Sequence, residues 1–199
     1  MADFFKKVTA FFLAIITTIS SFFGVLFMQI TEFKDLSYGS SAAQKLDLYL
    51  PKSSYSKCNA LVVYIHGGGW SGGDKEVYQS KCKDAAKRDY AAMTMNYRML
   101  GEGADLDDML ADITAALETA IAKAAEKGIT LQKAAFTGMS AGGHLAMMYA
   151  FKNQNTSPLE VAFCASQCGI SNFTDLRFYE DSTNTDDFYY VASKLSNKT

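Results

Sequence analysis

The spacing of apolar and polar positions along the chain changes several times, and each change marks an element. The first pattern is a run without charge from Val8 to Ile30, 23 residues long, preceded by Lys6 and Lys7 and followed by Glu32, Lys34 and Asp35. A helix needs roughly 20 apolar residues to cross a bilayer, and Phe, Leu and Ile cover all sides of this one instead of a single stripe. The run closes on Leu26-Phe27-Met28-Gln29-Ile30, which lacks the small residues that end a cleaved signal peptide. It predicts an uncleaved amino-terminal anchor over residues 1–31, with the lysines inside and a domain over residues 32–199 outside the cytoplasm. The alternative is a cleaved signal and a secreted domain.

Beyond the anchor, Lys45 to Leu50 alternates apolar with polar and then meets Pro51, as a half-buried antiparallel edge or hairpin strand does. Leu61 to Ile65, Ala91 to Met95, Val161 to Ala165 and the shorter Ala134 to Thr137 lack that alternation, which predicts parallel strands covered on both faces. Between them, Leu106, Met109, Leu110, Ile113, Leu117, Ile121 and Ala124 recur at helical spacing, and Gly128 closes the run. Asp105, Asp107 and Asp108 crowd its start, where carboxylates favour the helix dipole. Tyr78 to Lys87 and Gly142 to Phe151 read as two shorter helices. Strands alternating with helices predict an α/β fold whose sheet is mostly parallel, with helices on both faces.

Composition narrows the classes of function. Nineteen basic residues against 21 acidic ones give a formal charge of -2, so nucleic acid is not an expected partner. Two histidines, His66 and His144, and four cysteines, Cys58, Cys82, Cys164 and Cys168, form no zinc-type pair, and no metal is expected. The cysteines suit either disulfides or buried thiols. From Asn172 to Thr199 the chain is rich in Asn, Asp, Ser and Thr but carries Phe173, Phe178, Tyr179, Phe188, Tyr189 and Tyr190, which predicts a packed surface excursion.

Two motifs carry chemistry. Gly138-Met139-Ser140-Ala141-Gly142 falls between a predicted strand and a predicted helix, the setting of a nucleophile elbow. A sharp turn there lifts the Ser140 hydroxyl clear of its neighbours and aims a helix N-terminus at an anion formed beside it. His66-Gly67-Gly68-Gly69-Trp70 follows another strand, and consecutive glycines let backbone N–H groups line a concavity of the kind an oxyanion hole requires. No Walker-type phosphate loop is present, and acyl transfer by serine calls for no cofactor.

With Gly72-Gly73-Asp74-Lys75, Asn96-Tyr97-Arg98 and the continuation Gly143-His144-Leu145, these motifs give the chain its resemblance. It resembles the α/β-hydrolase superfamily, within it the carboxylesterases of the hormone-sensitive-lipase-like and related bacterial esterase and lipase groups, from about Asp35 to about Thr174. The resemblance implies Ser140 as nucleophile, backbone amides of Gly68, Gly69 and Ala141 as oxyanion donors, and His66 as a residue that steadies the glycine loop. It implies a small carboxylic ester or acylated sugar as substrate, an amide or formamide being the same chemistry on another bond. A non-catalytic, membrane-tethered remnant or binding protein is the other reading.

A general base and its carboxylate are missing from this pattern. In this fold they follow the serine in the order acid, then histidine, and the one histidine after Ser140 is His144, a single helical turn away and expected to pack behind the elbow. Asp175, Asp181, Asp186 and Asp187 have no histidine to orient and receive no role. Val161 to Ala165 would be the sixth of eight strands in such a sheet and residues 172–199 would be a cap, so the expectation is a domain lacking its last strands. Its sixth strand would then be an open, apolar edge.

Overall fold

The computed structural model describes Lys6, residues 9–17, 30–52 and 57–173, and Leu195. Six strands form one mixed sheet in the order β1-β2-β4-β3-β5-β6: β1 Ile30–Ser37, β2 Lys45–Pro51, β3 Ala60–Ile65, β4 Ala91–Met95, β5 Lys133–Met139 and β6 Glu160–Gln167. Strands β3 to β6 are mutually parallel, whereas β2 runs antiparallel to both β1 and β4. With the helices flanking it, this is the α/β-hydrolase fold. The crossovers are α1 Gln79–Ala86, preceded by a 3-10 turn over Lys75–Tyr78, then α2 Leu106–Ala125 and α3 Ala141–Lys152.

The amino-terminal expectation is corrected. Among the described residues no helix is long and apolar enough to cross a membrane. Residues 9–17 are helical. Ile30, read as the end of the anchor, instead opens β1 and pairs with Pro51. A transmembrane helix before the domain, attachment to a membrane through it and the placement of the domain outside the cytoplasm therefore lose their support. Val8 and residues 18–29 of the apolar run lie outside the described residues. Strand β1 also takes the outer position, so β2 is a hairpin strand but not an edge.

Helix α2 forms where the periodicity predicts it. Asp105 caps its first turn by accepting from the Asp108 N–H, and the Asp108 carboxylate accepts from the Asp105 N–H in return, a reciprocal capping box. Its buried stripe, Met109, Leu110, Ile113, Ala116, Leu117, Ala120 and Ala124, joins α3 and one face of the sheet in the main core. Asp112 lies in the same stripe. Its charge is met there by the Arg98 guanidinium at 2.7 Å and the Gln44 side-chain amide at 2.8 Å.

Helix α1 covers only part of the opposite face, where Cys82 and Ala86 pack on Tyr49 and Ala92. For that reason β4 is buried throughout, while β3 alternates and β6 has no fully buried residue. The expectation that all four parallel strands are covered on both faces holds for β4 alone. Strand β6 ends the sheet among the described residues, with Phe163 63% exposed.

The chain passes from β3 to β4 on one side and returns across β3 to β5 on the other. The loops leaving the carboxyl ends of β3 and β5 therefore diverge, which opens a crevice at that switch of direction. Both sequence motifs lie in those two loops.

Candidate active site

Ser140 joins β5 to α3 with φ 55° and ψ −121°, a conformation that costs a non-glycine residue about 1–3 kcal/mol and persists only where its surroundings enforce it. The enforcement comes from close backbone packing. A Cβ at Gly142 would lie 2.0 Å from the Ile65 carbonyl oxygen, and one at Gly138 would lie 2.4 Å from the same atom. Only glycine lets the turn press this closely on the end of β3. The Ser140 N–H donates to the Gln167 carbonyl at 2.8 Å, and the Ser140 carbonyl accepts from the His144 N–H at 2.9 Å. Three strand ends thus hold the backbone of an exposed serine.

The glycine loop runs beside it. A Cβ at Gly67 would meet the Met139 carbonyl oxygen at 2.7 Å and Ser140 Cβ at 3.4 Å. Gly68, Gly69 and Trp70 follow with φ of 114°, 60° and 57°, three positive values in succession, of which only the last is borne by a side chain. Trp70 is held in it by burial, its ring 5.4 Å from that of His144 and 5.8 Å from that of Phe173. Gly68 and Gly69 are exposed, whereas Ala141 is buried at the first position of α3.

Both histidines are buried beneath these loops. His66 stacks on Tyr97 at 4.5 Å between ring centroids, and its Nδ1 lies 2.8 Å from the Gly67 carbonyl, while the Tyr97 hydroxyl donates to the His66 carbonyl. Burial pushes its pKa down despite the Gly67 contact and the nearby Asp74. His144 lies behind the elbow against Trp70 and Phe173, and burial lowers its pKa to about 4. Among the described residues neither imidazole hydrogen-bonds to the Ser140 hydroxyl. Asp175, Asp181, Asp186 and Asp187 lie outside the described residues.

The depressed His144 value has a consequence for stability. The neutral ring is the folded form, so the unfolded chain binds the extra proton between the ordinary histidine pKa of about 6.5 and the folded value of about 4. Stability is expected to fall as pH drops through that window. Urea midpoints from pH 7 to pH 4 should show this slope in the parent and a shallower one in His144→Phe; equal slopes would refute the assignment.

A cavity of about 280 Å³ opens next to the elbow, lined by His66, Gly73, Val77, Tyr78, Met139 and Gln167 among others. Two features of this region are not marked by the elbow or the glycine string. Gln167 holds the serine backbone, its one signal in sequence being its place just after the Val161 to Ala165 run, and Phe173, one of the tail aromatics that predict a packed excursion, packs on Trp70. Among the described residues, no group of three or more His, Cys, Asp or Glu is placed to hold a metal ion.

Comparison with known proteins agrees with the fold. The chain is similar to esterase B of Lactobacillus rhamnosis, with a TM-score of 0.68 and 28% identity over 100% of this chain and 68% of that one. It is 31% identical over 115 residues to kynurenine formamidase of Danio rerio, which covers 57% of this chain and 37% of the relative. It is 29% identical over 113 residues to a probable isoprenylcysteine α-carbonyl methylesterase of Arabidopsis thaliana, 57% of this chain and 23% of the relative. The chain thus spans well under half the length of these two curated relatives. Residues 46–191 match the BD-FAE family model, and the chain is a member of the BD-FAE family.

Proposed function

We propose that the crevice between β3 and β5 is an acyl-transfer site of the serine-hydrolase type. Ser140 Oγ is its nucleophile, and the backbone N–H groups of Gly68, Gly69 and Ala141 receive the oxyanion. The observation that carries this reading is the Ser140 backbone, φ 55° and ψ −121°, held between Gly138 and Gly142. Strain of that kind is retained where it presents a reactive side chain. Attack on a carboxylic ester would give a tetrahedral oxyanion, then an acyl-serine with loss of the alcohol, then hydrolysis by water.

These 199 residues carry two histidines, and both are packed under the loops in roles that keep them from the hydroxyl. We therefore read the chain as a hydrolase site that binds and holds an acyl or formyl group with little turnover of its own. Loss of the triad histidine costs about 10⁶ in turnover in a well-studied serine protease, while oxyanion donors and binding still leave about 10³–10⁴ over water. The similarity to kynurenine formamidase favours a second reading on the same atoms, in which the scissile bond is a formamide.

The test uses the full chain with a p-nitrophenyl phosphonate ester, which phosphonylates an oxyanion-assisted serine and releases p-nitrophenolate. The expected result is a mass increase on the Ser140 peptide, absent in Ser140→Ala, with p-nitrophenyl acetate turned over only slowly by either. Equal labelling of both proteins would overturn the nucleophile. Rapid ester turnover by the parent would overturn the reading of a site without a base.

A further inference from the structure

The oxyanion loop has two limbs, and the second is fastened to the sheet at Lys75, by the Thr94 hydroxyl on its carbonyl at 3.0 Å and by the Asp47 carboxylate on its Nζ, and at Asp74 by Asn96. The limbs touch: a Cβ at Gly68 would lie 2.2 Å from the Gly72 carbonyl oxygen, and one at Gly73 would lie 2.3 Å from the Gly67 carbonyl oxygen and 2.5 Å from His66 Nδ1. The Ser71 N–H donates to the Gly68 carbonyl at 3.1 Å, closing the loop on itself. Whatever fixes Gly72, Gly73 and the residues after them therefore fixes the peptide groups of Gly67 and Gly68.

Asn96, just past the end of β4, is the side chain that reaches the Asp74 end of that limb, next to Gly73. Its Nδ2 donates to Asp74 Oδ2 at 2.8 Å, and its Oδ1 accepts the Lys75 N–H. Its own backbone is fully engaged, the N–H donating to the Lys45 carbonyl at 2.9 Å and the carbonyl accepting from the Tyr38 hydroxyl. Asp74 Oδ1 in turn accepts the Glu76 N–H at 2.7 Å, the cap of the following turn. Burial opposes ionisation of Asp74, but the bonds from Asn96 and Glu76 outweigh it and hold the carboxyl below its ordinary pKa.

The geometry points to Asn96 as a positioning residue for the oxyanion hole, which sets the Gly68 and Gly69 amides through Asp74, Lys75 and Gly73 without touching substrate. The residue type follows from the task. One short side chain must donate to a carboxylate and accept from a backbone N–H two atoms apart, which an amide does and neither a carboxylate nor an alkyl group can. This rests on the acyl-transfer reading only for what the amides do, not for how they are held.

The experiment has two arms on the full chain. Hydrogen exchange followed by peptide mass spectrometry is expected to show the 66–73 segment exchanging at least about 10-fold faster in Asn96→Ala, with β5 unchanged; a loss of global stability would instead speed both. Phosphonylation of Ser140 at saturating probe should slow by about 10–100-fold at unchanged half-saturation, somewhat less than removal of a whole donor. Asp74→Ala cuts the same link from the exposed side of the loop and should reproduce both effects, which keeps the test decisive if Asn96→Ala does not fold. Parental exchange and parental labelling in these variants would overturn the proposal. If the parent itself is not labelled, the acyl-transfer reading fails while the exchange arm still decides the role of Asn96.

Discussion

Gly142→Ala is expected to lower stability by about 3 kcal/mol, the upper end of what overpacking costs. The added methyl would sit 2.0 Å from the Ile65 carbonyl oxygen and 2.5 Å from that of His66. Both neighbours are backbone at the end of a central strand, so neither can rotate away. Relief requires moving α3 off the sheet, which also withdraws the Ala141 N–H and relaxes the Ser140 turn. Gly101→Ala is the matched control, because a Cβ there meets nothing within 4 Å. Urea denaturation of the two variants should separate them by most of that 3 kcal/mol; coincident midpoints would show that the elbow is not tightly packed.

The second large effect is expected at Asp47, a fully buried carboxylate on β2. Its Oδ1 lies 2.9 Å from Lys75 Nζ and accepts the Asp35 N–H at 3.0 Å, and its Oδ2 accepts from Lys34 Nζ at 2.8 Å. Asp47→Ala leaves Lys75, itself buried, with Asp35 as its remaining ion-pair partner, and Asp35 is mostly exposed. Breaking a buried pair from one side costs about 3–5 kcal/mol, most of it the uncompensated charge.

The pH dependence of that cost follows from two shifts of opposite sign. Burial works against the Asp47 charge, but Lys34, the Asp35 N–H and Lys75 together hold its pKa below the ordinary value. Its contribution is present above an unfolded pKa of about 3.9 and is lost as pH falls through the folded one. Lys75 loses from burial and gains more from Asp35 and Asp47, so its pKa is raised. Its contribution is present below about 10.4 and is lost as pH rises through the folded value. The stability difference between the parent and Asp47→Ala should therefore be widest between about pH 4 and 10 and should narrow on both sides. A difference independent of pH would mean that packing, not charge, is what Asp47 supplies.

What sequence reading could reach depended on whether the signal was local. Helix α2 was legible because an apolar stripe and an aspartate cap both lie within its own residues, and the elbow was legible because a glycine string describes backbone geometry directly. Strand β1 was not. Its alternation is broken by Lys34, whose charge is met by Asp47 on the neighbouring strand, and by Asp35, whose charge is met by Lys75 in the turn before α1, and its first residue continues an apolar run that hydropathy assigns to a membrane. Hydropathy counts side chains and cannot say that Ile30 stands opposite Pro51 in a sheet. The covering of the sheet was misjudged for a related reason: Leu61 to Ile65 is apolar throughout, yet α1 is too short to reach across β3, so Val62 and Tyr64 stay half-buried. Asp74 and Asn96 stood in motifs that marked them as a group, but which atom bonds to which depends on β4 ending beside the loop after β3.

The placing of β4 between β2 and β3 also dictates an order of assembly. As the chain is synthesised, the β1–β2 hairpin and then β3 emerge with apolar flanks, and the strand that separates them in the finished sheet begins 26 residues after β3 ends. At roughly 5–20 residues per second, β2 and β3 together wait about 1–5 seconds for β4. Direct pairing of the two in that interval would close the slot β4 must occupy. Insertion of Ala91–Met95, with Asn96 locking behind it, is then the event that commits the nascent chain to its topology.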